Sequence, residues 1–104
     1  MDRKDVKWLG DSLEVLKSYP KKVRQKLGWN IDMVQLGKMP IDAKSMSTVG
    51  KSVWELRAMH RGQFRLFYLV KKADAIYVLH VFKKKTQKTS AKDLRLAKQR
   101  LNEI

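Results

Sequence analysis

The chain has 104 residues, of which 43% are hydrophobic and 33% are charged, and its formal net charge at pH 7 is +14. This length suits one domain with a modest core, and the composition is that of a globular protein rather than a disordered or fibrous one. The sequence contains no cysteine, which excludes disulfides and thiolate metal sites. A field of this sign favours polyanions, such as nucleic acid, an anionic membrane surface or an acidic protein.

The charge is concentrated in the second half of the chain. Residues 1–52 carry 11 basic and 6 acidic side chains, whereas residues 53–104 carry 13 and 4. The first ten residues contain acids and no apolar run, which argues against a signal peptide, and no stretch approaches the roughly 20 apolar residues of a membrane helix. We therefore expect a cytoplasmic protein with a single domain over residues 1–104.

The first half predicts one short strand and two helices. Residues 6–9 suit an edge strand. Asp11 and Glu14 have the three-residue spacing of a capping pair at a helix start. Pro20 ends that helix and suits the first turn of a second helix. The apolar positions of the second helix recur at helical spacing, at Val23, Leu27, Ile31 and Val34.

The second helix should close near Gly37 and Pro40, and residues 38–52 lack periodicity and are interpreted as a loop. The two helices should form a hairpin that covers one face of a sheet.

Two strands, at residues 53–60 and 63–70, alternate with period two, and their even-numbered residues are the more apolar. The even-numbered residues of the two strands lie on the same face of the sheet only if each of them pairs with another even-numbered residue. The numbers of paired residues must then sum to an even value. This favours a three-residue loop at residues 60–62, with Gly62 in the left-handed conformation. Arg57 then lies opposite Arg65, and either Glu55 or a bound phosphate would relieve their repulsion.

The remaining elements are a turn at residues 71–74, a strand at 75–82 and a last helix. The strand is apolar on both faces, which is typical of a central or doubly covered strand. Thr89 or Ser90 should cap the helix, with Asp93 near its first turn. The predicted buried stripe of the helix comprises Leu94, Ala97, Leu101 and Ile104. The order β-α-α-β-β-β-α indicates a small α+β domain with an antiparallel sheet packed by helices.

The sequence carries no glycine-rich phosphate loop, nucleophile elbow or metal-ligand cluster, so we expect neither a metal nor a cofactor. His80 lies within an apolar strand, where a hydrogen-bonded buried role is expected, and His60 should be exposed at a turn. RNA cleavage remains possible without histidine, because the 2′-hydroxyl can attack its own phosphate when the backbone is held in line. Arginine can stabilise the developing charge, and tyrosine or lysine can move protons.

Residues of the types that this chemistry needs are Arg57, Arg65, Tyr68, Lys84 and Lys85. The alternation turns the ring of Tyr68 inward, and the alternative is a basic surface that only binds. Pattern alone favours binding, because basic patches are commoner than active sites.

Three strings together carry a family resemblance: W-E-L-R at 54–57, F-R-L-F-Y at 64–68 and Y-V-L-H-V-F-K-K-K-T-Q-K-T at 77–89. They resemble the HigB-like, phage-derived branch of the RelE/ParE toxin superfamily, and residues 8–14 and 97–104 fit the same pattern. The resemblance implies a RelE-like fold and the toxin of a type II toxin–antitoxin pair, an endoribonuclease that cleaves mRNA on the ribosome. It also implies a helix-turn-helix antitoxin as partner, with operator DNA bound only through the complex.

At the matching positions, the resemblance implies that Arg57 and Arg65 bind phosphate. Tyr68, Lys84 and Lys85 would orient RNA or assist proton transfer, and His80 would be structural. The further cations that we expect to contact RNA are Lys83, Lys88 and Arg61. Better-known RelE members use a tyrosine near the C-terminus, and this chain has none after Tyr77. Three alternatives stay open: a gyrase-binding inhibitor of the ParE type, a basic nucleic-acid-binding module and an inactive relic.

Overall fold

The computed structural model describes residues 3–71 and 75–104, and in these ranges it forms one five-stranded sheet and three helices. The strands are β1 (Asp5–Trp8), β2 (Lys44–Ser45), β3 (Trp54–Met59), β4 (Gln63–Lys71) and β5 (Ala75–Lys84). The helices are α1 (Ser12–Lys17), α2 (Lys21–Gln35) and α3 (Ala91–Asn102). Apart from Lys71, the turn predicted at residues 71–74 lies outside the described residues. Among these helices, none has the length and apolar character needed to cross a membrane.

The sheet order is β1-β5-β4-β3-β2, which confirms β1 as an edge strand and β5 as an interior one. The α+β class is also confirmed. However, β1 runs parallel to β5, so the sheet is mixed and the predicted antiparallel sheet is wrong in this respect. The structure also contains an additional strand, β2, inside the segment that was interpreted as a loop. This strand pairs with Trp54 and Glu55 of β3. The sequence could not predict β2, because a strand of two residues is too short to show an alternation of apolar and polar residues.

The hairpin of α1 and α2 covers one face of the sheet, here called the hairpin face, as predicted. The predicted stripe of α2 is buried there, together with Leu16 of α1. Apart from Val70, which is 37% exposed, the even-numbered residues of β3 and β4 line the same core, which confirms the parity argument. The sheet residues of this core are Leu56, Ala58, Phe64, Leu66, Tyr68, Ile76, Val78 and Val81.

The opposite face of the sheet, here called the α3 face, carries a second apolar cluster beneath α3. Ala97 is fully buried, and Leu94, Leu101 and Ile104 are partly buried against the cluster, as predicted for this helix. Ser90 caps α3, since the backbone N–H of Asp93 donates to Ser90 Oγ at 3.1 Å. The sheet therefore has an apolar core on each side, which explains why β5 is apolar on both faces.

Three local predictions need correction. The β3–β4 loop has the predicted three residues, but positive φ is not confined to Gly62 (φ +145°), because Arg61 also adopts it (φ +51°). Asp11 is the N-cap of α1 without a side-chain capping bond, because its carboxylate accepts a hydrogen bond from Arg100 instead. Pro20 is the N-cap of α2 and precedes its first turn.

A β-bulge in the β4–β5 pair decides the orientation of His80. Phe67 lies opposite His80, while the next residue, Tyr68, lies opposite Val78, so Leu79 is the extra residue. The bulge reverses the alternation of β5 and places His80 on the α3 face with Phe67. His80 stacks on Phe82 there, with ring centroids 5.1 Å apart.

His80 is buried and hydrogen-bonded, as predicted, in a network that joins three elements. Its Nε2 lies 2.7 Å from Asp93 Oδ1, and its Nδ1 lies 3.2 Å from Arg100 Nη1. Because Arg100 is a donor only, Nδ1 accepts and Nε2–H donates to Asp93. Arg100 also donates to the carbonyl of Leu79 at 2.9 Å and to Asp11 Oδ1 at 2.9 Å. The network ties α3 to β5 and to the start of α1.

Candidate functional site

Arg57 and Arg65 lie directly opposite each other on β3 and β4, on the α3 face. We call them the arginine pair. Directly opposed residues on neighbouring strands share a face and lie close together, so the pair concentrates two positive charges. The side chain of Arg57 is 41% exposed, whereas that of Arg65 is 8% exposed. The pair thus has one outer and one inner guanidinium.

Glu55 holds the arginine pair together. Its Oε1 lies 3.1 Å from Arg57 Nε and 3.6 Å from Arg65 Nε, and its side chain is only 5% exposed. Of the two anions considered from the sequence, the carboxylate is therefore present in the fold itself. One carboxylate against two guanidinium groups leaves a net charge of +1 at the site. The site can still attract a phosphate.

Arg65 is a buried cation whose donors are only partly used. Its Nη2 donates to Gln63 Oε1 at 2.5 Å and its Nη1 to the carbonyl of Phe64 at 3.3 Å. Among the described residues, its Nε has no hydrogen-bond partner. Burial lowers the pKa of Arg65, Glu55 opposes this shift and Arg57 adds to it. A buried cation with an unused donor is costly alone and gains from a further anion.

A cavity of about 310 Å³ adjoins the arginine pair, which is room for about ten water molecules at their volume in liquid water. The residues that line it are Lys26, Asp42, Arg57, Ala58, Met59, Gln63 and Arg65. Lys26 and Asp42 form an ion pair of 2.9 Å at its rim. The arginine pair therefore faces space that a phosphate could occupy.

Lys84 lies on the same face as the arginine pair. It is paired with Gln63 on β4, two pairs along from Arg65 and Phe82. Such diagonal neighbours are within reach of long side chains. Lys84 also borders a second cavity, of about 290 Å³, which we call the lysine pocket. The residues of the lysine pocket are Lys83, Lys84, Lys85, Thr86, Ser90, Lys92 and Asp93.

The sequence reasoning missed Lys92 of the lysine pocket. Lys92 lies in the first turn of α3, where a cation opposes the positive end of the helix macrodipole. Asp93 in the same turn offsets this charge, so the local sequence pattern does not single out Lys92. Arg100 was also missed, because no local pattern connects it to His80.

The other predicted RNA-binding cations occupy three different places in the fold. Lys83 borders the lysine pocket but lies opposite Phe64, so its strand position faces the hairpin side, and its Nζ is 5.6 Å from the centre of the Phe64 ring. Arg61 is exposed on the β3–β4 loop, and Lys88 is exposed between β5 and α3.

Tyr68 does not join the arginine pair. It lies in the core of the hairpin face, is 2% exposed, and is separated from Arg65 by the thickness of the sheet. Burial raises the pKa of its hydroxyl to about 12. The predicted catalytic role of Tyr68 stays a prediction, and its placement favours a structural role.

Residues 14–102 match the family described as Phage derived protein Gp49-like. The chain belongs to this family. The match includes the arginine pair, Glu55 and the lysine pocket. No curated protein matches the chain.

In this Gp49-like protein, the described residues contain no group of three or more histidine, aspartate or glutamate side chains suited to holding a metal. His60 is half-buried at the end of β3, and His80 is engaged by Asp93 and Arg100. The charged groups at the arginine pair are the two guanidinium groups and the Glu55 carboxylate, with the ammonium group of Lys84 on the same face. Guanidinium and ammonium groups bind phosphate oxygens and stabilise negative charge that develops on them.

Replacing Tyr68 by phenylalanine should reduce the loss of stability at high pH. The pKa of Tyr68 is about 12 in the folded Gp49-like protein, against 10.0 when exposed. The folded state therefore holds the hydroxyl proton of Tyr68 more tightly than the unfolded state does. The resulting contribution to the free energy of unfolding is fully present below pH 10 and is lost as the pH rises from about 10 to 12. Two pKa units correspond to about 3 kcal/mol. Urea unfolding at several pH values measures the difference between the two proteins.

The matched control is Tyr77→Phe, at a half-buried tyrosine on the α3 side. The wild type and Tyr68→Phe differ by one hydroxyl only. An equally steep loss in wild type and Tyr68→Phe would contradict the buried placement of Tyr68.

Proposed function

We propose that this Gp49-like protein is the toxin of a type II toxin–antitoxin pair, a HigB-like member of the RelE/ParE superfamily with a RelE-like fold. In this proposal it inhibits growth by cleaving translated mRNA on the ribosome. Membership of a toxin-like family supports the proposal. The observation that carries it is the cluster of Arg57, Glu55 and Arg65, with its net positive charge beside an open cavity.

The proposed mechanism relies on positioning and charge stabilisation. The RNA 2′-oxygen attacks the adjacent phosphorus as its proton passes to Lys84 or Lys85. A 2′,3′-cyclic phosphate forms, the P–O5′ bond breaks, and the 5′-oxygen takes up a proton. Arg57 and Arg65 would bind the non-bridging oxygens and stabilise the charge that grows on them in the transition state. The ribosome would hold the mRNA in line, which supplies the orientation that a small surface site lacks.

Proton transfer in this scheme is assigned to Lys84 and Lys85. Lys84 lies diagonally from Arg65 on the same face, and both lysines border the lysine pocket. Lys83, Lys88 and Arg61 would contact neighbouring phosphates of the mRNA, because Lys83 borders the lysine pocket and the other two are exposed. Tyr68 enters the scheme only as a core residue.

The proposed partners are the ribosome with its mRNA and a helix-turn-helix antitoxin that neutralises the toxin in the cytoplasm. Operator DNA would be bound only through the toxin–antitoxin complex. A net charge of +14 suits an RNA-rich target, since it attracts polyanions over long range.

Induced expression of the wild-type protein without its partner is the test of this function. We expect growth arrest, together with new 5′ ends inside translated transcripts when RNA from these cells is mapped by primer extension. Intact transcripts together with gyrase-dependent DNA damage would instead support an inhibitor of the ParE type and contradict the proposal.

A further inference from the structure

A small cavity on the hairpin face includes Tyr68, the residue of the F-R-L-F-Y string that the proposed mechanism does not use. The cavity measures about 250 Å³ and lies where the C-terminal end of α2 meets Trp54 of β3 and Tyr68 of β4. We call it the Trp54 cavity. The residues that line it are Lys4, Val34, Gly37, Lys38, Met39, Trp54, Tyr68 and Val70. The arginine pair lies on the other face of the sheet, so the two sites are separate.

The walls of the Trp54 cavity are apolar and aromatic. Val34 and Tyr68 are buried, Trp54 is half-buried and Val70 is 37% exposed, so the lining extends from the core to the solvent. Trp54 and Tyr68 are directly paired across β3 and β4, and directly opposed side chains on neighbouring strands lie close together. Two neighbouring aromatic rings favour a flat apolar ligand, because rings attract one another in offset-stacked or edge-to-face contact.

The charged residues that line the Trp54 cavity are both lysines. The backbone of Lys4 is fixed against the end of α2, since its N–H donates to the carbonyl of Gln35 at 3.1 Å and its carbonyl accepts from Gln35 Nε2 at 2.8 Å. Lys4 Nζ lies 3.6 Å from where a Cβ atom on Gly37 would be. The backbone N–H of Lys38 donates to the carbonyl of Met33 at 2.9 Å, which holds Lys38 in the turn that ends α2. Among the described residues of this lining there is no acid, so the cavity favours an anion.

Size and charge together select the class of ligand. Cavities of roughly 300–1,000 Å³ hold drug-sized ligands, so this smaller cavity suits a smaller molecule. A cation at the C-terminal end of a helix also complements the helix macrodipole, but that interaction does not need an apolar cavity beside it. A bare inorganic anion would leave the aromatic wall uncovered, and a neutral aromatic molecule would leave the lysines without an anion. A ring that carries one carboxylate satisfies both sides of the cavity.

We propose that the Trp54 cavity binds a small aromatic carboxylate, with its ring against Trp54 and Tyr68 and its carboxylate toward Lys4 and Lys38. The proposal goes beyond the proposed function, because the cavity belongs to the hairpin face and the arginine pair to the α3 face. Such a ligand contacts the end of α2 and two strands at once, so its binding stabilises the folded state.

Three small molecules test the proposal by calorimetry with the full-length protein. Indole-3-acetate has the ring and the charge, indole-3-acetamide has the same shape without the charge, and acetate has the charge without the ring. Indole-3-acetate should bind with a dissociation constant of roughly 0.1–1 mM, as expected for a ligand of this size. The amide should bind about tenfold more weakly, and acetate should show no binding at the same concentrations.

A charge variant locates the carboxylate. Lys4→Gln with Lys38→Gln should weaken binding of indole-3-acetate to the level of the amide and leave binding of the amide unchanged. The matched control is Lys21→Gln with Lys22→Gln, which loses the same charge from exposed positions in the first turn of α2. Urea unfolding checks that both variants fold. Cleavage of mRNA by both variants in cells should match wild type, which separates this test from that of the proposed function.

Three results would overturn the proposal. One is equal binding of the acid and the amide, and another is unchanged binding of indole-3-acetate by a folded Lys4→Gln, Lys38→Gln variant. The third is binding that is lost in Arg65→Ala, because the anion would then lie at the arginine pair on the opposite face of the sheet.

Discussion

Replacing Arg65 by alanine is expected to abolish growth inhibition and to slow mRNA cleavage by roughly 10²- to 10³-fold, the usual effect of removing one group that stabilises a transition state. Arg65 is the inner member of the arginine pair and lines the cavity beside it. Its removal leaves Glu55 paired with Arg57 at 3.1 Å, so no charge is left uncompensated. The variant should therefore fold while losing function, and primer extension after induction measures the effect.

Two variants control for charge and geometry. Arg24→Ala removes one positive charge from α2, which packs on the hairpin face, and should cleave like wild type. Arg65→Lys keeps the charge but loses the planar fork of donors, so an intermediate rate is expected. Full activity of a folded Arg65→Ala variant would refute the role assigned to the arginine pair.

Replacing Glu55 by glutamine is expected to lower the free energy of unfolding by about 3–5 kcal/mol, the usual cost of removing one partner from a buried ion pair. Glutamine keeps the volume of the side chain but leaves two guanidinium groups opposed across neighbouring strands, one of them buried. Urea unfolding at neutral pH measures this loss. Glu103→Gln, at an exposed position just after α3, is the control and should change little.

Anions should restore part of the stability that Glu55→Gln loses. A sulfate or phosphate ion can bind in the cavity beside the arginines and supply the missing negative charge, and a ligand that binds only the folded state stabilises it. The gain in the free energy of unfolding of Glu55→Gln should exceed the gain of the wild-type protein in the same anion. It should also exceed the gain of Glu55→Gln in chloride at equal ionic strength. If Glu55→Gln were no less stable than Glu103→Gln, the carboxylate would not be what holds the arginine pair.

The pairing of Arg57 with Arg65 could be predicted because it depends on local information. Period-two alternation and the length of the loop fix the register of two consecutive strands, without knowledge of the rest of the sheet. The same alternation predicted that the ring of Tyr68 faces the core. From the sequence, the anion between the two arginines could be either Glu55 or a bound phosphate. The structure buries Glu55 beside both arginines.

The orientation of His80 could not be predicted, because β5 is apolar on both faces. An extra residue at Leu79 therefore leaves no visible break in its pattern, although it moves His80 to the α3 face. The parallel pairing of β1 with β5 was equally hidden, since it joins residues about 70 positions apart and depends on sheet order.

The position of Lys84 beside the arginine pair also depends on sheet order. The sequence showed a lysine run after the last strand, but only the β4–β5 register brings Lys84 opposite Gln63. Arg100 reaches Asp11 and His80 from the far end of the chain, which no spacing rule indicates. The missed parts of the site are thus long-range contacts, and the predicted parts are local ones.

The central claim is that the arginine pair serves cleavage of mRNA during translation. Two transcripts that differ only in the presence of the start codon test it most directly when both are mapped by primer extension in the same induced cells. The account predicts new 5′ ends within the coding region of the translated transcript alone, and none in cells that express Arg65→Ala. Equal cleavage of both transcripts, or cleavage that persists with Arg65→Ala, would contradict it.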